Sequence, residues 1–309
     1  MLDKFWEAVG GSLADRWAAV SVPALVFWLG GLLAWAYSRG GLNSLRTPAD
    51  WLARQPTPTQ IAVLIVGLLS VGASGVIVNR FTDPVLRFLE GYWPSWLDPV
   101  RHRLVRRVRD RVGKEEAEWQ EVAPDVQETG EPDPATARAF QRLDQRLRHR
   151  PSALGQLMPT RLGNVLRAAE SRPADKYGLD AVAVWPCLWL IMPDSTRQEL
   201  AGARASLNSA VGSFIWGALF LVFTPWTILV IPIGLAVSIG SVLFWLPSRA
   251  EAFGDLLEAA FDLHRVALYQ QLRWPLPTDP RQERAEGERL TEFLWRGSRE
   301  PSPTFTPPL

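Results

Sequence analysis

The chain is poor in the residues that most often carry catalysis or bind metals. It contains one cysteine, Cys187, and three histidines, His102, His149 and His264. A single cysteine excludes an intrachain disulfide bond and fits a reducing compartment. The histidines lie far apart without metal-ligand spacing, so no metal or other cofactor is expected. P-loop, H-E-x-x-H, paired C-x-x-C and glycine-rich dinucleotide motifs are all missing, so the sequence does not favour an enzyme.

Charged residues are absent from the long stretch 205–248, and most of this stretch is apolar. A membrane-spanning helix needs about 20 apolar residues, so the stretch predicts two spans joined by a tight turn. The turn is expected at 224–226 (Thr-Pro-Trp), because proline disfavours a helical conformation in the residue before it. The third span is predicted at 207–224 and the fourth at 227–246.

Two earlier uncharged stretches, 18–37 and 60–78, predict the first two spans within 18–78. Residues 1–17 repeat apolar side chains at helical spacing, which predicts an amphipathic helix in the membrane interface; a frayed, solvated terminus is the alternative. A cleaved signal peptide is also conceivable, because 34–36 reads Ala-Trp-Ala. The long apolar run and the acidic balance before it favour an uncleaved span.

Small residues recur four positions apart in three of the predicted spans, and such pairs let helices approach closely. The pairs are Gly30 with Ala34, Ser70 with Ser74, and Ala236 with Gly240. Packing within one bundle explains them, and so would contacts in an oligomer. The motif at 72–75 (GASG) is similar to the serine motif of rhomboid intramembrane proteases. No histidine lies in a span to act as its base, so Ser74 is interpreted as a helix-packing residue.

The remaining parts, 79–208 and 248–296, are charged and amphipathic, and they predict a helical lobe with a hairpin at its end. Within the lobe, 115–135 is acidic and contains proline and glycine, which predicts an acidic linker. The apolar run 181–192 is too short to span a membrane, and it is expected to lie buried in protein or in the membrane interface. The proline-rich tail 297–309 is predicted to be disordered.

Basic residues next to the spans predict the orientation of the chain. Arg80, Arg87 and the basic stretch 101–114 follow the second span, Arg204 precedes the third, and the turn at 224–227 has no charge. The predicted fold class is therefore all-α: a four-helix transmembrane bundle with a cytoplasmic helical lobe and both termini in the cytoplasm. Three basic residues of the first loop argue mildly the other way: Arg39, Arg46 and Arg54.

The basic stretch after the second span is a candidate contact for anionic lipid headgroups, since each basic residue near such a surface contributes about 1 kcal/mol. A solvated face, neutralised by the acidic residues that follow, is the alternative. Nucleic acid is not expected as a partner, because the acidic residues would repel its phosphates. The candidate headgroup contacts are Arg101, Arg103, Arg106, Arg107, Arg109 and Arg111.

A second candidate site is the mixed polar and apolar stretch that begins at Arg161. It could bind a partner protein or a ligand, although the same mixture is typical of the polar face of two packed helices. The candidate residues are Arg161, Asn164, Arg167, Glu170, Tyr177 and Asp180.

Four segments resemble bacterial multi-pass membrane proteins of unknown function. They are PTRLGNVLRAAE (159–170), YGLDAVAVWP (177–186), EGYWPSWL (90–97) and AAFDLHRVALYQQLRWPLP (259–277). The resemblance implies a protein of the bacterial inner membrane, and it carries over no activity and no functional residues.

The leading functional hypothesis is a non-enzymatic scaffold or regulatory protein, which binds a partner protein or further copies of itself through the lobe. An oligomeric channel or transporter subunit is the alternative, and a membrane-embedded enzyme is the third. The predicted spans contain no Asp, Glu, Lys, Arg or His. Because such groups commonly mark proton and ion pathways, a proton-coupled transporter is disfavoured.

Overall fold

The structure is a computed structural model that describes residues 21–128, 133–298 and 304–306. It is all-helical, with 84% helix and no strand within those ranges. Four of its helices are long and apolar enough to cross a membrane. The helices are α1 (Ser21–Ser38), α2 (Arg46–Ala53), α3 (Thr57–Glu90), α4 (Asp98–Glu128), α5 (Pro134–Arg148), α6 (Arg161–Tyr177), α7 (Ala181–Ile191), α8 (Asp194–Phe220), α9 (Val230–Gly240), α10 (Leu246–Gln271) and α11 (Pro280–Arg296).

The chain divides into two compact units, which we name by their composition. The apolar unit consists of Met1–Leu86 and Asn208–Leu246, and the charged unit of Arg87–Leu207 and Pro247–Leu309. The second span was predicted to end at residue 78, but α3 continues to Glu90 with Pro84 inside it. Its residues Val78, Thr82 and Leu86 are buried, and this packing holds the helix together beyond the apolar segment.

Aromatic side chains hold the helices of the apolar unit together. The ring of Phe27 on α1 lies 5.0 Å from Trp216 on α8 and 4.8 Å from Phe223 just after it, measured between centroids. The indole of Trp28 donates a hydrogen bond of 3.1 Å to the hydroxyl of Ser74 on α3. Ser74 therefore has a packing role, as the sequence predicts.

Small residues allow the closest approach of helices in this unit. A Cβ atom added to Gly217 of α8 would lie 2.9 Å from the backbone nitrogen of Ser238 on α9, which is closer than side chains pack. A Cβ atom added to Gly30 of α1 would lie 2.7 Å from the ring of Phe220 on α8. A Cβ atom at Gly240, in contrast, would meet open space, so the pair of Ala236 and Gly240 does not account for the approach of α8 and α9.

The third and fourth predicted spans follow the expected course with one difference. Helix α8 runs without a break from Asp194 into the third span, and the chain turns at 224–226. The fourth span is predicted to end at residue 246, but the π segment Ser241–Trp245 leads directly into α10. Proline clashes with the carbonyl four residues earlier in a regular helix, and the wider π turn lies at this place.

The charged unit has an apolar core of its own, formed by α6, α7, α10 and α11 and by the first turns of α8. Its fully buried members include Leu179, Val184, Leu188, Phe261 and Leu290. Helix α7 contributes one face to this core, whereas Val182 and Leu190 on its other face are 67% and 75% exposed. The apolar run 181–192 is thus half buried in protein.

Glycine at position 178 ends α6 and brings it against α11. Gly178 has a φ of 67°, a left-handed conformation that disfavours residues with a Cβ atom. Its carbonyl accepts a hydrogen bond of 3.1 Å from the hydroxyl of Thr291 on α11. This contact fixes the end of α6, which carries several of the charged side chains described below.

Three predicted segments remain to be placed. The acidic stretch 115–135 is not simply a linker, because α4 continues through it to Glu128 and Trp119 stacks on Phe140 of α5. The interfacial helix predicted at 1–17 lies outside the described residues. Within the tail predicted to be disordered, the backbone N–H of Thr306 donates a hydrogen bond of 2.9 Å to the carbonyl of Arg273.

Candidate functional site

Within the charged unit, the acidic face of α10 is paired with basic side chains of α5 and α6. The carboxylate of Glu258 lies 2.6 Å from the ammonium nitrogen of Lys176 and 3.6 Å from the guanidinium of Arg148. It also forms an ion pair with Arg172. Asp262 lies 3.4 Å from Lys176. We call this group the ion-pair ladder, and its residues are Arg148, Arg172, Lys176, Glu258 and Asp262.

Glu258 is the central residue of the ladder and is only 6% exposed. Burial by itself would raise the pKa of this carboxyl. Hydrogen bonds from Lys176 and Arg172 outweigh burial, so the pKa of Glu258 lies below its ordinary value. Glu258 is therefore held as a carboxylate with its charge compensated inside the unit.

The ladder continues into a tyrosine that bridges α6 and α10. The hydroxyl of Tyr177 donates a hydrogen bond of 2.6 Å to Asp262. Burial, together with this bond, raises the pKa of Tyr177 to about 12. The guanidinium of Arg265 lies 4.2 Å from the centre of the Tyr177 ring and 2.6 Å from Glu283 on α11. Every charge in this region has an opposite partner, which is typical of a structural network.

A cavity of about 790 Å³ lies beyond the ladder, between the hairpin of α4 and α5 on one side and α6 with the start of α10 on the other. We call it the arginine cavity because arginine is the commonest residue in its lining. Its lining residues are Val108, Arg111, Glu115, Arg142, Gln145, Arg146, His149, Arg150, Pro159, Arg161, Asn164, Val165 and Glu251.

Local sequence explains how α6 begins at the cavity. The hydroxyl of Thr160 accepts the backbone N–H of Gly163 at 3.0 Å, which is the usual N-terminal cap. The side chain of Asn164, 4% exposed, accepts the backbone N–H of Met158 at 2.9 Å and donates to the carbonyl of the same residue at 2.8 Å. These bonds fix the segment that carries Arg161 at the edge of the cavity.

The charges of the cavity are not balanced. Glu115 lies 3.5 Å from Arg146 and is also paired with Arg150. Glu251 lies 2.8 Å from Arg161.

Two arginines of the lining, Arg111 and Arg142, have no carboxylate partner among the residues that the structure describes, although Arg142 donates to the carbonyl of Arg138 at 3.2 Å. Because exposed guanidinium groups bind carboxylates and phosphates well, the cavity is suited to an anion.

His149 joins the cavity to the ladder. Its Nδ1 lies 3.0 Å from the carbonyl of Gln145, and its Nε2 lies 3.5 Å from the carboxylate of Asp255 on α10. Both ring nitrogens are thus next to protein groups on α5 and α10. In this position the imidazole links two helices.

The candidate headgroup contacts all lie on α4. Arg111 is the member of this set that lines the cavity; Arg101 is half-buried and the remaining four are exposed. Whether these side chains touch lipid stays a prediction.

The candidate partner surface does not form a single site. Arg161 and Asn164 line the cavity, while Arg167 and Glu170 form an exposed pair at 3.4 Å. Tyr177 belongs to the bridge described above. Asp180 caps α7 by accepting the backbone N–H of Val182 at 2.8 Å. Binding of a partner at these residues also stays a prediction.

Seven charged or polar lining residues are not among the candidates from the sequence: Glu115, Arg142, Gln145, Arg146, His149, Arg150 and Glu251. One signal was available, because Arg142 and Arg146 are four residues apart and so share one side of α5, and Arg150 continues this spacing just after the helix. No sequence pattern indicated that α4, α6 and α10 would meet this side.

No protein-family model, curated protein or solved structure matches this chain. The resemblance of 159–170 to bacterial multi-pass membrane proteins stays a prediction. Within the described ranges, no group of three or more His, Cys, Asp or Glu side chains is placed to hold a metal ion. The chemistry of the cavity is therefore inferred from its own side chains.

Proposed function

We propose that the protein is an integral membrane protein whose charged unit is a binding module for an anionic ligand or partner, with the arginine cavity as its binding site. The role is regulatory or scaffolding rather than enzymatic. The observation that carries the proposal is the pair Arg111 and Arg142, two exposed guanidinium groups in one cavity without a carboxylate partner in the described part of the chain.

Exposed apolar side chains on α3 support membrane insertion. Leu64, Val66 and Leu69 are 66%, 61% and 64% exposed, and similar side chains surround them along the helix. Contiguous apolar surface of this extent is unusual on a protein dissolved in water. Lipid chains would cover it without a partner protein.

The orientation proposed for the chain follows the distribution of basic residues. The arginine-rich beginning of α4 follows the apolar part of α3, and such residues are retained on the cytoplasmic side. The charged unit and both termini would then lie in the cytoplasm. The resemblance of 159–170 and 259–277 to bacterial multi-pass proteins supports the bacterial inner membrane as the location.

A binding role fits the cavity better than catalysis does. His149 is the lining residue most suited to proton transfer near neutral pH, but its two ring nitrogens lie next to Gln145 and Asp255. Arg111 and Arg142, in contrast, have donor groups that no carboxylate of the described residues occupies, and arginine keeps its positive charge. The cavity is therefore equipped to hold an anion in place.

The test is anion binding by the full-length protein in detergent, measured by isothermal titration calorimetry with pyrophosphate at constant ionic strength. Arg142→Gln should weaken binding about tenfold, because a hydrogen bond to a charged group contributes about 1.5–3 kcal/mol. Arg281→Gln is the matched control, since Arg281 is an exposed arginine of the charged unit on α11 and lies outside the cavity lining. Absence of binding to the unsubstituted protein would contradict the proposal.

A subunit of an oligomeric channel or transporter is the second candidate. It is favoured by Gly67 and Ser70, two small residues that are exposed on α3 where another helix could approach closely. Native mass spectrometry in a mild detergent should then show a defined oligomer, and reconstituted liposomes should conduct ions. A monomeric mass together with silent liposomes would remove this candidate.

A further inference from the structure

We infer that the ligand of the arginine cavity is a phosphate monoester that carries an organic group, and that Arg111 and Arg142 hold its phosphate. The inference rests on the anion-binding function proposed for the charged unit. It adds the chemical class of the ligand and the residues that recognise it.

The number of free charges selects a dianion. The other three arginines of the lining already have carboxylate partners, namely Glu115 for Arg146 and Arg150, and Glu251 for Arg161. Arg111 and Arg142 are then the two arginines of the lining without a carboxylate partner in the described residues, and the lining as a whole has five arginines against two carboxylates, so it favours a dianion over a monoanion. A phosphate monoester carries a charge of about −1.5 to −2 at pH 7, whereas a phosphodiester or a single carboxylate carries about −1.

Because the basic side chains of the lining are arginines, the cavity favours an oxyanion with several hydrogen-bond acceptors. The lining contains arginine but no lysine. A guanidinium group presents a planar fork of donors that matches two oxygens of a phosphate, while lysine acts as a point charge. Two such forks can engage the three terminal oxygens of a monoester, which a diester with its two free oxygens cannot offer.

The size of the cavity selects a ligand with an organic group. Its volume of about 790 Å³ falls in the range of about 300–1,000 Å³ that is usual for small-molecule sites. Inorganic phosphate would leave most of that space empty. Val108, Pro159 and Val165 provide apolar wall, against which an organic group can pack.

A lipid headgroup and a soluble metabolite could both supply this chemistry. Phosphatidic acid carries a terminal phosphate monoester, and glycerol 3-phosphate is its soluble counterpart. Both have the dianionic group that the two arginines require. The experiment therefore compares each monoester with a phosphodiester built on the same glycerol or lipid group.

The full-length protein in detergent is titrated with glycerol 3-phosphate, with glycerophosphoglycerol as the diester, and with sulfate and inorganic phosphate. Nanodiscs that contain either phosphatidic acid or phosphatidylglycerol test the lipid source. We expect the monoester to bind about tenfold more tightly than the diester, a ratio that corresponds to one charge-assisted hydrogen bond. A preference for phosphatidic acid over both soluble monoester and phosphatidylglycerol identifies the lipid; a preference for the soluble monoester identifies a metabolite.

Arg111→Gln and Arg142→Gln should each remove this preference, and Arg281→Gln should keep it. Arg142→Lys retains the charge without the fork, so it should restore part of the affinity but not the preference for the monoester. Both arginines are exposed, and circular dichroism of each variant should show unchanged helix content.

Each remaining outcome contradicts a defined part of the inference. Equal affinity for monoester and diester overturns the ligand class, while the anion-binding function stands. Equal affinity for sulfate, phosphate and glycerol 3-phosphate, that is an adventitious ion only, overturns the need for an organic group. If none of the probes, pyrophosphate included, binds, the inference and the proposed function fall together.

Discussion

The ion-pair ladder and the arginine cavity are neighbouring parts of the charged unit. Both take basic side chains from α5 and α6, and the cavity adds Arg111 of α4. In the ladder, Glu258 is buried and bonded to two bases within hydrogen-bonding distance. In the cavity, Arg111 and Arg142 are exposed and lack such a carboxylate in the described residues. A buried charge pair makes the fold sensitive to the loss of either partner, whereas unpaired charges around an open volume are available to a ligand.

The largest effect is expected from Glu258→Ala. The substitution would leave Arg172, which is largely buried, without its carboxylate. Breaking a buried ion pair costs about 3–5 kcal/mol, so the free energy of unfolding should fall by that amount in chemical denaturation.

Glu170→Ala is the control for this substitution, since it removes an exposed carboxylate paired with Arg167. Glu170→Ala should lower the free energy of unfolding by less than about 1 kcal/mol. Equal effects of the two substitutions would show that the ladder is no more than a surface network.

Ligand binding gives the next largest effect. At a glycerol 3-phosphate concentration of about 100 times its dissociation constant, the folded state should gain about 2.7 kcal/mol. Arg142→Gln should reduce this gain by about half at the same concentration, because its affinity is about tenfold lower. The Glu258→Gln variant, if it folds, should still gain stability from the ligand; loss of the gain in this variant would show that ladder and cavity are one site.

Acid should weaken the ladder by protonating Glu258. Because the folded-state pKa of Glu258 is lowered, its contribution to stability is present above the ordinary value of 4.5 and is lost as the pH falls through the lowered value. The thermal midpoint of the unsubstituted protein should therefore drop more steeply below pH 4.5 than that of Glu258→Gln. Parallel curves for the two proteins would contradict the assignment.

Glu251→Gln should have the smallest effect on stability, and it should strengthen ligand binding where Arg142→Gln weakens it. The pair of Glu251 with Arg161 is exposed on the arginine side, so its loss should cost less than about 1 kcal/mol. Arg161 would then be free for the ligand, and affinity for glycerol 3-phosphate should rise severalfold in calorimetry. A decrease in affinity would mean that Glu251 itself contacts the ligand.

The apolar half of the fold could be predicted because it depends on one-dimensional features. Long stretches without charge require helices, and Pro225 marks the turn between the last two. These features act within a few residues of each other.

The cavity could not be predicted, because its parts are joined only by tertiary packing. Arg111, Arg142 and Arg161 lie on three different helices, and their meeting depends on contacts such as Trp119 with Phe140 between α4 and α5. The same packing carries α4 through the acidic stretch where proline and glycine predicted a linker. Tertiary packing of this kind overrides local sequence preferences.

The contact between Thr306 and Arg273 has a practical consequence for handling the protein. Besides the backbone bond, the guanidinium of Arg273 donates to the carbonyl of Thr306 at 3.0 Å, and Phe305 lies 6.1 Å from the ring of Phe293. Residues 304–306 thus cover part of α11. An affinity tag or fluorescent reporter fused after them needs a spacer, and removal of Phe305 would uncover the ring of Phe293, an aromatic surface that favours aggregation.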